Sequence, residues 1–541
     1  MKPVTAGQAL VELLADHGVD TVFGIPGTHS IELYRGLASE RIRHISPRHE
    51  QGGGFMADGY ARASGRPGVC FVITGPGVTN LATPMAGAYI DSVPMLVISP
   101  VNPPDPHGIN RGRLHELSSQ EAVSRPFCAD SVTVESADQI PEAVNRAFSL
   151  FASQRPRPVH INIPLPVLVE PVGEPWHALS CTTAMAKVSD RLVAEAARKI
   201  GRARHKVLVV GGGTVDGQSD ILALAERMNC PVITTVAARG VIPAGHPLSV
   251  GAQLRAPRIQ KVLQEADLAL FLGTDFAQTD HWNDDMPLPC EQIWVNLSPD
   301  SMDSRTSALT AVGDCLHFAR KLHALLPEPS REAVDRCRMQ CLDLRTGRAE
   351  SMTDKEKMHW AVLEIIDSHL QKGMLVASDM TQSAYTAVDY LPAYRPRQWL
   401  HPVGYGPLGY ALPAAIGALL SDAADTALAI VGDAGFQYTQ QEMGLAAELG
   451  LNLTVLLWNN HALQQICDDM DSAGIEPVGV VQKNPDFLAL AEAYGWRAWK
   501  NVDITSLESE LAKASETPGP VLIEIDESLV RTQSGQSGNR R

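Results

Sequence analysis

Two short apolar runs near the carboxyl end of the chain, residues 426–431 and 451–457, each stop at polar, turn-forming residues. Runs this short with turns at their ends predict buried parallel strands. Between them, Met443, Leu445, Ala446 and Leu449 fall on one helical face. Strand, glycine-bearing turn, helix, strand makes a βαβ unit, and open α/β sheets bind ligands beyond the carboxyl ends of their strands. Polar residues gather at those ends: Val431-Gly432-Asp433-Ala434-Gly435-Phe436 after the first strand, Trp458-Asn459-Asn460-His461-Ala462 after the second. Asp433 offers a hard carboxylate. Asn460 offers an amide oxygen 27 positions on, about the span of one crossover. Gly435 lets backbone N–H groups approach an anion at a helix start. A carboxylate, an amide oxygen and phosphate oxygens suit Mg²⁺, so these residues predict a magnesium diphosphate ligand.

Gly-Asp-x-Gly followed by Asn-Asn at this distance resembles the cofactor motif of thiamine diphosphate (ThDP) enzymes, the family of acetolactate synthase, pyruvate decarboxylase and benzoylformate decarboxylase. One departure is Ala434, where relatives usually carry Gly. The resemblance implies Asp433, Asn460 and Ala462 at the metal, with Gly432, Ala434, Gly435, Ala462 and Leu463 along the cofactor. It extends over nearly the whole chain. Phe23-Gly24-Ile25-Pro26-Gly27 matches an N-terminal family segment, after which Thr28 and His29 are expected to approach the substrate. An ordinary helix cap and a surface histidine are the alternative readings of those two. His49-Glu50-Gln51 with Ala57-Asp58-Gly59-Tyr60-Ala61-Arg62 resembles the segment of the catalytic glutamate. Glu50 is then the acid that bonds N1′ of the cofactor's aminopyrimidine and favours the imino tautomer that removes the thiazolium C2 proton. A poorly hydrated site would raise its pKa. Gly75-Pro76-Gly77-Val78-Thr79-Asn80 matches a further cofactor turn. In the loop 401–409, Gly406 and Leu408 match the backbone contacts to the aminopyrimidine, and Leu408 matches the wedge that bends the cofactor into a V.

Substrate choice rests on the departures. His115-Glu116 stands where acetolactate synthases carry Phe-Gln and pyruvate decarboxylases His-His. The arginines that accompany FAD in acetolactate synthases are missing after Leu270-Phe271-Leu272-Gly273, so FAD is not expected. The glycine triplet 211–213 lacks the dinucleotide spacing and reads as a structural turn. Glu116, Asp468 and Asp469 suggest a cationic substrate tail, since a guanidinium pairs with carboxylates in bidentate fashion. Gln382 and Gln465 join them as substrate candidates. His115-Glu116 and the acidic stretch resemble 5-guanidino-2-oxopentanoate (2-ketoarginine) decarboxylases. The expected reaction is decarboxylation of a 2-oxo acid to an aldehyde and CO₂, with His29 and His115 as candidate proton donors. The alternatives are an acetolactate synthase-like carboligase that joins the decarboxylated fragment to a second carbonyl, and an inactive ThDP-fold partner or regulator. Intact Glu50, Asp433 and Asn460 argue against the last.

At 541 residues the chain is too long for one core. The expected fold is α/β: three doubly wound parallel-sheet domains of the ThDP-binding type. These are a pyrimidine-binding domain at 1–170, a middle domain at 188–328 and a diphosphate-binding domain at 353–531, with a disordered tail at 532–541. A net charge of −16 argues against nucleic acid or an anionic membrane as partner. No signal pattern or membrane-spanning apolar run is evident. The nine scattered cysteines, among them Cys337 and Cys341 one helical turn apart, read as free thiols in a reducing cytoplasm. The resemblance implies that Glu50 and Asp433 of one chain serve different sites. The expected assembly is therefore a homodimer at least, and a homotetramer by family habit.

Overall fold

The computed structural model describes residues 3–103, 105, 111–179, 184–302, 308–347, 352–371, 373–501, 503–528 and 530–531. The tail expected from residue 532 lies outside them. Three six-stranded sheets follow one another along the chain, with every strand pair parallel. The first holds β1 (Thr21–Gly24), β2 (Arg43–Ile45), β3 (Gly68–Phe71), β4 (Met95–Val101), β5 (Asp130–Thr133) and β6 (Val159–Pro164). The second holds β7 (Lys206–Val210), β8 (Val232–Thr234), β9 (Ser249–Gly251), β10 (Leu268–Leu272), β11 (Glu291–Asn296) and β12 (Leu309–Val312). The third holds β13 (Leu375–Ser378), β14 (Trp399–Leu400), β15 (Ala427–Gly432), β16 (Leu453–Asn459), β17 (Arg497–Asn501) and β18 (Val521–Asp526).

The first and third sheets have one strand order, β2-β1-β3-β4-β6-β5 and β14-β13-β15-β16-β18-β17. The middle sheet, β9-β8-β7-β10-β11-β12, has the dinucleotide-fold order. Its glycine turn packs against the neighbouring strand end. The Gly213 N–H donates to Gly273 O at 2.9 Å, and a Cβ at Gly211 would lie 2.4 Å from the same oxygen. The triplet is thus required by close packing of two loops.

The two apolar runs that open the sequence argument are β15 and β16, buried at every residue, as strands covered on both faces must be. The edge strand β17 instead exposes Arg497 and Lys500, charges that discourage pairing with another sheet. The helix Ala6–Asp16 starts at Thr5 with a capping box to Gln8.

The first and third units share a core. Helix Glu50–Ser64 of the first crosses helix Ala411–Leu420 of the third. The crossing works only with glycine on both sides. A Cβ at Gly59 would sit 2.1 Å from Ala414 O, and one at Gly417 1.9 Å from Met56 O. Beside it, the Tyr410 hydroxyl donates to Asp58 at 2.6 Å, and Arg62 bridges Asp58 at 2.6 Å and Asp91 at 2.8 Å. Burial raises the Asp91 pKa, and Arg62 works against that rise. A paired, buried charge network of this kind adds little net stability, because desolvation offsets most of its attraction.

Two local expectations shift. The segment after His49, read from the sequence alone as opening its helix only at Gly52, is helical already from Glu50, because the His49 ring caps it by accepting the Gln51 N–H at 3.1 Å and an acid is favoured in a first helical turn. Residues Asp433–Phe436 form a short helix rather than an open turn. The eight described cysteines are free. Among the described residues no helix is long and apolar enough to cross a membrane.

Candidate active site

The polar residues after β13, β15 and β16 converge. β15 and β16 pair with Gly432 opposite Trp458, which sets Asp433 level with Asn459 and leaves Asn460 one residue beyond. Asp433 is 2% exposed. Burial pushes its pKa above the usual carboxylate range, and a hydrogen bond from Asn484 offsets part of that rise. The Asn484 amide donates to Asp433 Oδ2 at 2.7 Å and to Asn459 Oδ1 at 2.9 Å. Asn459 turns inward and donates to Glu524 at 2.7 Å. Asn460 keeps its amide oxygen toward the turn, where it accepts the Ala462 N–H at 3.3 Å. Its amide also bonds Glu527, which holds Trp458 Nε1 at 2.8 Å. The turn 461–463 is pinned from outside, with the Leu463 N–H donating to Val480 O at 2.8 Å.

Asp379, at the end of β13, organises the neighbouring loop. It is fully buried and accepts the N–H of Gly409 at 2.9 Å and of Met380 at 2.9 Å. Burial drives its pKa up to about 6. Gly409, at φ +81°, and Gly406, at φ +62°, need the left-handed freedom of glycine. A Cβ at Gly435 would lie 3.0 Å from Asp379 Oδ2, and one at Gly432 2.8 Å from Thr381 Oγ1. Gly432, Gly435 and the Gly406–Gly409 loop that carries Leu408 are therefore one packed assembly around Asp379.

The first unit supplies a second set. Glu50, half-buried in the first turn of its helix, accepts the Asn80 amide at 3.0 Å. Asn80 ends the short helix Pro76–Asn80, entered through Gly75 at φ +68°. The Gly75 N–H is held by buried Gln120 at 2.8 Å. Gln120 in turn donates to Ser99, Pro100 O and Asn162 at 2.8–2.9 Å. His115, itself at φ +59°, packs on Gly75, where a Cβ would meet His115 O at 2.7 Å. The rings of His29 and His115 meet edge to face at 5.4 Å. Burial first, and the neighbouring His115 second, lower the His29 pKa. Both Nδ1 atoms are buried without a hydrogen-bond partner. Thr28 is exposed beside them. Glu116 accepts the Arg113 N–H at 3.0 Å, so it closes its own loop.

The acidic stretch lies on helix Gln464–Ser472. Asp468 Oδ2 accepts Gln382 Nε2 at 2.9 Å and Lys355 Nζ at 2.7 Å. Gln382 also reaches Gln465 at 3.3 Å, and Asp469 accepts Gln465 Nε2 at 3.0 Å. The structure thus gathers Gln382, Gln465, Asp468 and Asp469, and adds a lysine that the sequence reading missed. Gln120, Asp379 and Asn484 were also missed in their supporting roles. Each lies in a loop or at a helix start with no periodicity, 30–51 positions from its partner.

The donor set after β15 and β16 fits a magnesium diphosphate. A buried carboxylate and an amide oxygen follow adjacent paired strands, hard oxygen donors of the kind Mg²⁺ takes, and close-packed glycines flank them. The two orphaned imidazole nitrogens lie in the other half, beside Gly75.

Comparisons with known proteins agree. Models of the thiamine pyrophosphate enzyme family match in order: the N-terminal TPP binding domain at residues 4–123, the central domain at 193–322 and the C-terminal TPP binding domain at 379–525. The chain belongs to this family of thiamine pyrophosphate enzymes. Within it, a probable 2-ketoarginine decarboxylase of Pseudomonas aeruginosa is 45% identical over 98% of this chain and 95% of its own length. The acetolactate synthase isozyme 1 large subunit of Escherichia coli is 29% identical over 97% of this chain and 94% of its own. An acetolactate synthase of Mycobacterium bovis is 30% identical over 96% and 87%. The chain is therefore an enzyme of the group that holds 2-oxo acid decarboxylases and acetolactate synthases.

Proposed function

We propose that this enzyme decarboxylates a 2-oxo acid with a cationic side chain, 5-guanidino-2-oxopentanoate, to the aldehyde and CO₂, with ThDP and Mg²⁺ as cofactors. The observation that carries the reading is that adjacent paired strands end at buried Asp433 and, one residue past its level, at Asn460. Asp433, Asn460 and Ala462 would hold the metal. Bound ThDP supplies the electron sink for the departing CO₂. Glu50, steadied by Asn80, would hold a proton at the aminopyrimidine N1′. Leu408 would keep the cofactor bent. His29 and His115 have free buried Nδ1 atoms able to deliver a proton to the product carbon. The substrate's guanidinium would meet Asp469 and Glu116, and would compete with Lys355 for Asp468. The relative of 45% identity supports this side chain.

The same reading places each site between two subunits. Large apolar residues flank both halves in exposed positions, among them Leu114 at 59%, Tyr438 at 54% and Val478 at 73%. Burial against a second copy would cover them, and a dimer or tetramer follows. Free cysteines fit a cytoplasmic setting. A panel of 2-oxo acids, with and without an aldehyde acceptor, tests the reading by CO₂ release and product mass. The expected result is fastest release from 5-guanidino-2-oxopentanoate with aldehyde as sole product. Equal rates on pyruvate would overturn the substrate, and a ligated product would favour the carboligase.

A further inference from the structure

Glu442 has no part in the assignments above. It is 0% exposed and lies in the turn Gln440–Glu442, just beyond the short Asp433 helix. Its carboxylate leaves the third unit and enters the first. Oε1 accepts the backbone N–H groups of Arg48 and His49, both at 3.1 Å, and Oε2 accepts the Arg48 N–H at 3.0 Å. It does not form an ion pair with the nearest cation, because the Arg48 guanidinium turns away to Glu448 and Ser46 O. A fully buried carboxylate held only by backbone groups is expensive. Apolar packing would join the two units at lower cost, so the bonds themselves point to a purpose.

Those bonds end one residue short of Glu50. His49 caps the helix and Glu50 opens it. Gly52, in the same turn, presses on the carboxylate so closely that a Cβ there would lie 2.3 Å from Oε1. The Glu50 backbone is thus bracketed: residues 48 and 49 by Glu442, residue 51 by the His49 ring. We propose that Glu442 is a positioning residue that fixes the angle at which Glu50 meets the cofactor ring. The inference rests on the assignment of Glu50 as the activating acid. It also ties the two half-sites of one chain, since the segment that carries Asp433 leads directly to this clamp.

Glu442→Gln, Glu50→Gln and the double variant, made in the full-length enzyme with ThDP and Mg²⁺, test it. Gln keeps one acceptor oxygen and sets an NH₂ against a backbone N–H. The expected loss in kcat is about tenfold or more, while the Kd for ThDP moves less than about threefold. Acting through Glu50, the substitution should cost nothing further in the double variant. In ligand-free enzyme the Arg48 and His49 amides should exchange faster, with helix Ala411–Leu420 unchanged. Wild-type kcat in Glu442→Gln, losses that multiply in the double variant, or a Kd that rises in step with the fall in kcat would overturn the proposal. Should Glu442→Gln fail to fold, Gly52→Ala displaces the carboxylate from the helix side and must show the same split. A fully active Glu50→Gln would instead sink the acid assignment, a result distinct from failure of the clamp.

Discussion

The loop that follows β2 in the first unit and the loop that follows β14 in the third leave equivalent strands of the same topology. They then run into the two helices that cross through Gly59 and Gly417. The correspondence continues strand by strand. After β1 come Thr28 and His29, and after β13 come Asp379 and Gln382. After β3 comes Gly75, and after β15 comes Asp433. After β4 come His115 and Glu116, and β16 ends at Asn459 with Asn460 just beyond. One scaffold, built twice, has its loops in register but not its chemistry. The first unit places a glutamate and two histidines beyond its strand ends, and the third places oxygen donors and glycines. Function therefore lives in the loops grafted on the strands, and a thiamine pyrophosphate binding domain model matches each of the two units.

The sharpest way to break this division is to damage each half separately. Glu50→Gln should lower kcat by roughly 10²–10⁴-fold while ThDP still binds, as titration calorimetry would show. Full activity would remove the first unit from the chemistry. Asp433→Asn should do the reverse and weaken Mg²⁺ and ThDP binding by roughly 100-fold, the upper range for losing even an outer partner of a metal. Asn484→Ala should cost about tenfold in metal affinity, because Asp433 and Asn459 lose a shared donor. Unchanged affinity would make Asn484 a packing residue only. The smallest effect concerns Asp379. Its folded pKa, about 6, is raised by burial above the ordinary 3.8. Its contribution is therefore complete below the ordinary value and is lost as pH rises through about 6. Asp379→Asn should flatten thermal stability across that window, and an unaltered pH curve would contradict the burial argument.

The third unit was far more legible in the sequence than the first. β15 and β16 are apolar throughout, so periodicity, length and terminal turns located the strands and the residues beyond them. Glu50 could be read only through resemblance, because a lone acid after a strand looks like any helix cap. The supports were hidden for a simpler reason. Gln120 holds Gly75 from 45 positions away, and Asn484 holds Asp433 from 51. No local pattern encodes such partners. The charge at Asp468 was legible, but its existing bond to Lys355 was not.

Subunit mixing tests the division most directly. Glu50→Gln and Asp433→Asn chains, each inactive alone, are unfolded together and reassembled as hybrids. If each site takes its acid from one subunit and its metal ligands from the other, every hybrid dimer carries one intact site. The mixture should then recover roughly a quarter of wild-type activity under random pairing. A mixture as inactive as its parents, with hybrid dimers verified by mass, would show that both groups act within one chain.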